Sequence, residues 1–312
     1  RFFDNRRSVM IKSFPDNSRV AFIGDSITAE NLSLQWIIRA YKQRGGADIR
    51  FFNCGVAGGT ADFAVTIYEK DTKRYAPTHA VVSFGINDSC RELLREGRSE
   101  DRLNRLTAAY GKYKTKLAEL VDKLLADGVE VILCTPVPYD EYSESGEEPL
   151  RGGYSLMLGY SEYVRILAKE KGVHLYDQHR IISTVMAREQ VHSPDRIHPT
   201  AHGYYVLARE FLKEQGIDVG SEEALPENFA LWHSYVARLR KVIATECMIV
   251  PRLNESFDAP AEIKVSKMWE MIEQKAWGVP VFESFCRAYV ADKPHEEELY
   301  RLIDEMYERK IK

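Results

Sequence analysis

Between residues 19 and 216, short runs of β-branched and apolar residues alternate with stretches whose apolar positions recur at helical spacing. This alternation constrains the fold more than any other feature of the chain. Strands buried on both faces read as continuous apolar runs, and the crossovers that join parallel neighbours are helices. The strand candidates are residues 20–23, 49–52, 80–84, 129–134 and 173–176, and helical patterns cover about 32–44, 62–72, 101–127, 155–171 and 200–214. Gly128 and Gly172 stand where helices should end, each directly before a strand, as left-handed stop residues do.

The expected fold class is therefore α/β: a three-layer αβα sandwich around a five-stranded parallel sheet, with the strand order of flavodoxin-like proteins. Beyond Asp218 the alternation stops. Trp232, Tyr235, Val236, Leu239, Val242 and Ile243 make one apolar helical face, and Leu299, Leu302, Ile303 and Met306 make another. The last pattern opens near Pro294 with Glu296, Glu297 and Glu298 and closes with Arg309 and Lys310, so its charges complement the helix dipole. These patterns predict an α/β domain over residues 1–217 and a C-terminal helical extension over 218–312. The apolar stripes of the extension need a partner surface; packing within the chain is expected first, with a homo-oligomer as the alternative. Trp232, Trp269 and Trp277 read as core residues of the extension.

A chain of 312 residues, 45% hydrophobic and 29% charged, has the composition of a soluble globular protein. Its net charge of -4 gives no basic footprint for nucleic acid or anionic lipid. No run reaches the roughly 18–20 apolar residues of a membrane span, and residues 1–12 lack the apolar core of a signal peptide. The chain starts without Met, which keeps a removed leader open. Five cysteines is an odd number, and Cys54, Cys90 and Cys134 lie in or just after apolar runs, where small buried thiols are the usual occupants. A reducing, cytoplasmic location is expected.

In an open parallel sheet, ligands sit at the carboxyl ends of the strands. Four polar blocks fall at or beyond such places. The first strand runs into Gly24-Asp25-Ser26-Ile27-Thr28, the second into Asn53-Cys54-Gly55-Val56-Ala57-Gly58-Gly59-Thr60, and the third into Gly85-Ile86-Asn87-Asp88. After the fifth strand and one more helix comes Asp195-Arg196-Ile197-His198-Pro199.

A serine hydroxyl is a poor nucleophile at neutral pH; it needs a base, and the base needs a partner that fixes its tautomer. His198 and Asp195 fit those roles, because a spacing of three within a loop or helical turn brings both side chains to one side. Pro199 suits the first turn of the next helix. Attack on an ester creates an oxyanion, which requires preorganised donors. The backbone amides of Ser26 and Gly58 and the side-chain amide of Asn87 are candidates. Asp25 and Asp88 are expected to support the site by accepting backbone N–H groups that hold their turns.

Together the four blocks resemble those of the SGNH, or GDSL, hydrolase superfamily. Gly24-Asp25-Ser26 is similar to its first block, the segment from Asn53 to Gly58 to its second, Gly85-Ile86-Asn87-Asp88 to its third, and Asp195 through His198 to its Asp-x-x-His block. The resemblance covers residues 19–214 and implies a serine esterase with Ser26, His198 and Asp195 as its triad, an oxyanion hole from Ser26, Gly58 and Asn87, and no metal or other cofactor. It implies a small-molecule or carbohydrate ester as substrate, acetyl first among the acyl groups. A thioesterase or lysophospholipase activity is the alternative within the same chemistry, and a scaffold protein with a minor hydrolase site is the alternative outside it.

Other readings of these residues are weaker. Gly58-Gly59-Thr60 lacks the lysine and glycine spacing of a phosphate loop. Asp25, Asp88, Asp195 and His198 taken as metal ligands would leave Asn87 without a purpose. His79, His174, His179, His192 and His202 are expected to be solvated or satisfied in the core, with His202, one turn beyond His198, kept as a candidate for indirect support. The acidic stretch from Asp140 to Glu148 is expected to be a solvated loop that could rim the substrate site.

Overall fold

A computed structural model describes residues 11–30, 32–44, 49–69, 72–144 and 146–222. The chain divides into two units, Arg1–Glu223 and Ala224–Lys312, and the described residues belong to the first. The helical extension expected from residue 218 onward lies outside them, except for its first five positions.

Five strands, β1 (Arg19–Gly24), β2 (Arg50–Gly55), β3 (His79–Ser83), β4 (Glu130–Cys134) and β5 (His174–Tyr176), form one sheet in the order β2-β1-β3-β4-β5. All neighbours are parallel, with Ala21 in register with Phe52 and Ala80, and Val82 with Leu133. The order reverses between β1 and β3. A reversal opens a crevice at the carboxyl ends of those two strands, and the first and third polar blocks lie there.

The helices are α1 (Ser26–Ala29), α2 (Leu32–Gln43), α3 (Ala61–Ile67), α4 (Glu100–Ala126), α5 (Gly153–Lys171), α6 (Gln178–Val185) and α7 (Ala201–Glu214). α2 packs on α7 and α3 packs on α4, the pairing expected when crossovers cover both faces of the sheet. α4 shows why these segments are helical. Ser99 caps it by accepting the Arg102 amide, Glu100 and Asp101 occupy its first turn and Lys123 its last. It buries Tyr113, Leu117, Leu120, Val121 and Leu124 along one stripe, each aliphatic side chain contributing about 1.5–3 kcal/mol relative to exposure. α5 ends at Gly172 with φ 66°, the expected left-handed stop.

Several boundaries depart from the periodicity. β2 continues through Asn53, Cys54 and Gly55, residues read as the loop beyond it, because polar side chains at a buried strand end hide the strand when they are bonded locally. α3 stops at Ile67 rather than 72, and a short 3-10 turn, Lys73–Tyr75, follows. Pro199 is not in the first turn of α7: the helix is capped by Thr200, whose hydroxyl accepts the Gly203 amide, and Pro199 pairs instead with His192 in an isolated β-bridge. Cys54 and Cys134 are buried as expected, but Cys90 is exposed; it sits outside any strand, with φ 47°, before the 3-10 turn Arg91–Arg95. Among the described residues no helix is long and apolar enough to cross a membrane.

Candidate active site

The nucleophile candidate is placed by the end of β1. Gly24 closes the strand, Asp25 turns the chain, and its carboxylate Oδ1 accepts the Ile27 amide at 3.0 Å, capping α1. Ser26 is therefore the first residue of a helical turn. That turn is pressed against β2: a Cβ on Gly55 would lie 2.4 Å from the Ala29 nitrogen and 2.7 Å from the Thr28 carbonyl carbon. Only glycine permits the approach. Asn53 locks the same junction, donating from Nδ2 to the Thr28 carbonyl at 2.9 Å and accepting the Gly55 amide at Oδ1 at 2.9 Å.

The Ser26 hydroxyl lies 2.7 Å from His198 Nε2. On the other side of the ring, Nδ1 is 2.5 Å from Asp195 Oδ2. The second oxygen of Asp195 accepts the amides of both Ile197 and His198 at 3.0 Å. One carboxylate thus orients the imidazole and closes its own turn. Burial works against ionisation of Asp195, but the Ile197 amide, the imidazole and the His198 amide together hold its carboxyl below the usual range.

The second and third blocks meet beside this chain of contacts. Val56 donates to the Gly24 carbonyl at 2.9 Å and Gly59 to the Val56 carbonyl at 2.8 Å, so the loop carrying Gly58, with φ 75°, is fastened to the end of β1. Asn87 Nδ2 donates to the Gly59 carbonyl at 3.0 Å, joining the loop after β3 to the loop after β2. Asp88 Oδ1 accepts the Ala61 amide at 2.9 Å, at the start of α3. Asp25 holds its own turn, whereas Asp88 ties the loop after β3 to the start of α3.

Both carboxyls are perturbed upward. Burial raises Asp25 to about 7; Asp88 nearby adds to this, while the Ile27 amide, His198 and Arg91 oppose it. Burial likewise raises Asp88 to about 6, whose Oδ2 is buried without a hydrogen-bond partner among the described residues.

Among the described residues the other histidines are engaged elsewhere. His179 is buried and burial pushes its imidazole down to about 4; His192 is buried with Nε2 on the Pro138 carbonyl at 3.0 Å. His202 does not support His198: its two nitrogens lie 2.7 Å from Glu222 and 2.6 Å from Glu189. Tyr142, Glu144, Glu147 and Glu148 in the acidic stretch are exposed, as expected of a solvated loop, but its first two residues are engaged. Asp140 is buried, and Glu141 accepts the amides of Gly152 and Tyr154 at 2.8 and 3.1 Å, supplying the cap that Gly152 cannot give α5. Arg196, which drew no attention in the sequence, is buried with φ 67° between Asp195 and His198. A charged residue next to a proline-ended turn carries no signal of burial; only the contacts reveal it.

A family model described as GDSL-like lipase/acylhydrolase matches residues 22–206. An acetylxylan esterase of Geobacillus stearothermophilus is 29% identical over 174 residues, 54% of this chain and 74% of that one. A solved structure of an acetylxylan esterase from the same organism matches over 67% of this chain and 99% of its own, with a TM-score of 0.55 at 22% identity. A gut microbial diltiazem-metabolizing enzyme matches over 66% of this chain with a TM-score of 0.60 at 24% identity, and the match spans about half of that protein, 48%. The two solved structures share the fold. The matched segment runs from within β1 to within α7 and holds all four polar blocks, and the chain belongs to the GDSL-like lipase/acylhydrolase family, a family of carboxylic ester hydrolases.

Proposed function

We propose that the protein hydrolyses short-chain carboxylic esters, acetyl esters of a carbohydrate foremost, through an acyl-enzyme on Ser26. The observation that carries this reading is the continuous chain from the Ser26 hydroxyl through both nitrogens of His198 to Asp195 at the open end of the sheet. Nδ1–H donates to Asp195, which leaves the Nε2 lone pair to take the Ser26 proton. The alkoxide attacks the ester carbonyl; the tetrahedral oxyanion is held by the Ser26 and Gly58 amides and by the second N–H of Asn87, whose first is engaged on Gly59. Collapse of the intermediate expels the alcohol, which leaves with the proton held by His198. Water, deprotonated by His198 in turn, releases the acid and restores Ser26.

The carbohydrate acetyl ester is supported by the acetylxylan esterase relative. Solved forms of the Geobacillus enzyme include catalytic mutants in which a serine, an aspartate and a histidine are each replaced by alanine, the same three residue types as in the proposed triad. The test is acetate release from acetylated xylooligosaccharides beside a series of p-nitrophenyl esters of rising acyl length. The reading expects acetyl to be the preferred acyl group and acetate to be released from the sugar. A preference for long acyl chains or thioesters, with acetylated sugars untouched, would overturn the substrate assignment and leave the acyl-enzyme chemistry in place.

A further inference from the structure

Arg196 stands between Asp195 and His198 in a left-handed conformation, φ 67°, and is 3% exposed. Each property is unfavourable for arginine. A Cβ in the left-handed region meets the neighbouring carbonyl, which is why glycine is the ordinary occupant, and a buried cation must be compensated by hydrogen bonds. A turn that needed only its backbone conformation would be better served by glycine. The side chain must therefore contribute something that glycine cannot.

Its contacts identify that contribution. Nη1 donates to the carbonyls of Asp140 at 3.1 Å and Ser143 at 3.0 Å and approaches the Ser143 hydroxyl at 3.4 Å, and Nε donates to the Glu147 carbonyl. The backbone replies. The Asp140 amide donates to the Arg196 carbonyl at 3.0 Å, and the Glu147 amide to the Pro194 carbonyl at 2.8 Å. At Gly146 the two segments are so close that a Cβ would lie 2.5 Å from the Pro194 oxygen. On its far side the turn is closed by the Ser193 amide on the His198 carbonyl at 2.7 Å and the Thr200 amide on the Val191 carbonyl at 2.9 Å. One guanidinium thus collects three carbonyls of the loop after β4 and binds them to the turn that carries Asp195 and His198.

We propose that Arg196 is a positioning residue: by fastening the 140–147 loop to the Asp195–His198 turn, it fixes the imidazole against Ser26. This inference rests on the triad reading of the preceding subsection. The Arg196 guanidinium makes its hydrogen bonds to the loop and none to Ser26, Asp195 or His198; it acts through the turn, so its loss is expected in kcat rather than in binding of a small ester.

The test compares Arg196→Gly, Arg196→Lys, Ser26→Ala and the unaltered full-length chain on p-nitrophenyl acetate, with melting temperature and the rate of Ser26 labelling by a fluorophosphonate read alongside. Glycine suits the backbone, so a merely conformational role predicts unchanged or improved behaviour. The positioning role predicts that Arg196→Gly folds, keeps its KM within about twofold, and loses about tenfold or more in kcat and in labelling rate, since small displacements of catalytic groups cost factors of this order. Guanidinium chloride at tens of millimolar should restore part of the lost kcat where equal sodium chloride does not, and Arg196→Lys should be intermediate because one ammonium cannot span the three carbonyls. A kcat for Arg196→Gly within about twofold of the unaltered chain would overturn the proposal. Should Arg196→Gly fail to fold, Arg196→Lys decides: a lowered kcat at constant KM supports the proposal, and an unchanged kcat overturns it. The Ser26→Ala arm separates the two levels. Full turnover there defeats the triad reading and the inference together, whereas an inactive Ser26→Ala beside a fully active Arg196→Gly defeats the inference alone.

Discussion

The hydroxyl of Tyr204 donates a 2.6 Å hydrogen bond to Oε2 of Glu30, one helical turn beyond Ser26. Tyr204 is buried in α7, and burial together with the Glu30 carboxylate raises its phenol far above the usual range, so it stays a neutral donor. The Tyr204 carbonyl also accepts the Ser33 hydroxyl at 3.0 Å. The segment after Ser26 and the helix after His198 are thereby joined independently of the triad itself. Tyr204→Phe keeps the ring and removes the latch. It is expected to destabilise the fold by about 1 kcal/mol, the net worth of a partly exposed charged hydrogen bond, and to lower kcat several-fold. Urea denaturation and steady-state kinetics on the same preparation check both; an unchanged kcat would show that α1 needs no such tie.

Gly55 makes the opposite kind of contribution, through an absent side chain. Its Cβ would meet backbone atoms of Thr28 and Ala29, which cannot swing away as a flexible side chain would. Gly55→Ala should cost about 1–3 kcal/mol through overpacking and slow Ser26 labelling as α1 is pushed off β2. Denaturation midpoints within error of the unaltered chain would contradict the close packing.

Burial of Asp25 has a pH signature. Its carboxyl is raised to about 7 in the folded chain, above an unfolded value near the ordinary carboxylate range of about 4. For a group shifted in this direction, the stability contribution is fully present at pH below about 4 and is lost as pH rises through the folded value. Asp25→Asn cannot ionise, yet its Oδ1 can still accept the Ile27 amide. The stability of the unaltered chain relative to Asp25→Asn should therefore fall between pH 5 and pH 8, by no more than about 3 kcal/mol. Asp88, whose carboxyl burial raises to about 6, is charge-coupled to Asp25, so the difference carries the titration of both carboxyls. Chemical denaturation at three pH values in this range measures it, and a pH-independent difference would contradict the raised carboxyl.

Asn87 is expected to matter for rate more than for binding. Asn87→Ala removes the proposed third oxyanion donor and should reduce kcat by about 10²–10³, with a smaller effect on KM. Equal effects on the two would point instead to a role limited to holding the Gly59 carbonyl.

The fold was legible because β1, β3 and β4 have largely buried centres, which leaves apolar runs such as residues 20–23, 80–82 and 131–133. The site was legible in part for a related reason: Ser26, Asn87 and His198 are polar residues in turns directly beyond strands or just before a helix, where a core position would not need them. Other features left no mark. Asn53 reads as a loop residue because its side chain replaces the local backbone bonds that a strand end lacks. Glu141 caps α5 from eleven residues before Gly152, a distance that no capping pattern spans. Arg196 is compensated mainly by carbonyls, groups that every residue carries, so nothing in the sequence distinguishes it from a surface arginine. Long-range backbone contacts of this kind exist only once the chain is folded.

The central claim is that Ser26 carries the acyl group. The most direct measurement is the turnover of an acetyl ester by Ser26→Ala, together with the mass of the unaltered protein after exposure to a fluorophosphonate. The account predicts a loss of at least about 10⁴-fold in kcat, and a single phosphonyl adduct located on the peptide containing Ser26 and absent from the alanine variant. Turnover by Ser26→Ala at the rate of the unaltered protein, or an adduct on another residue, would contradict it.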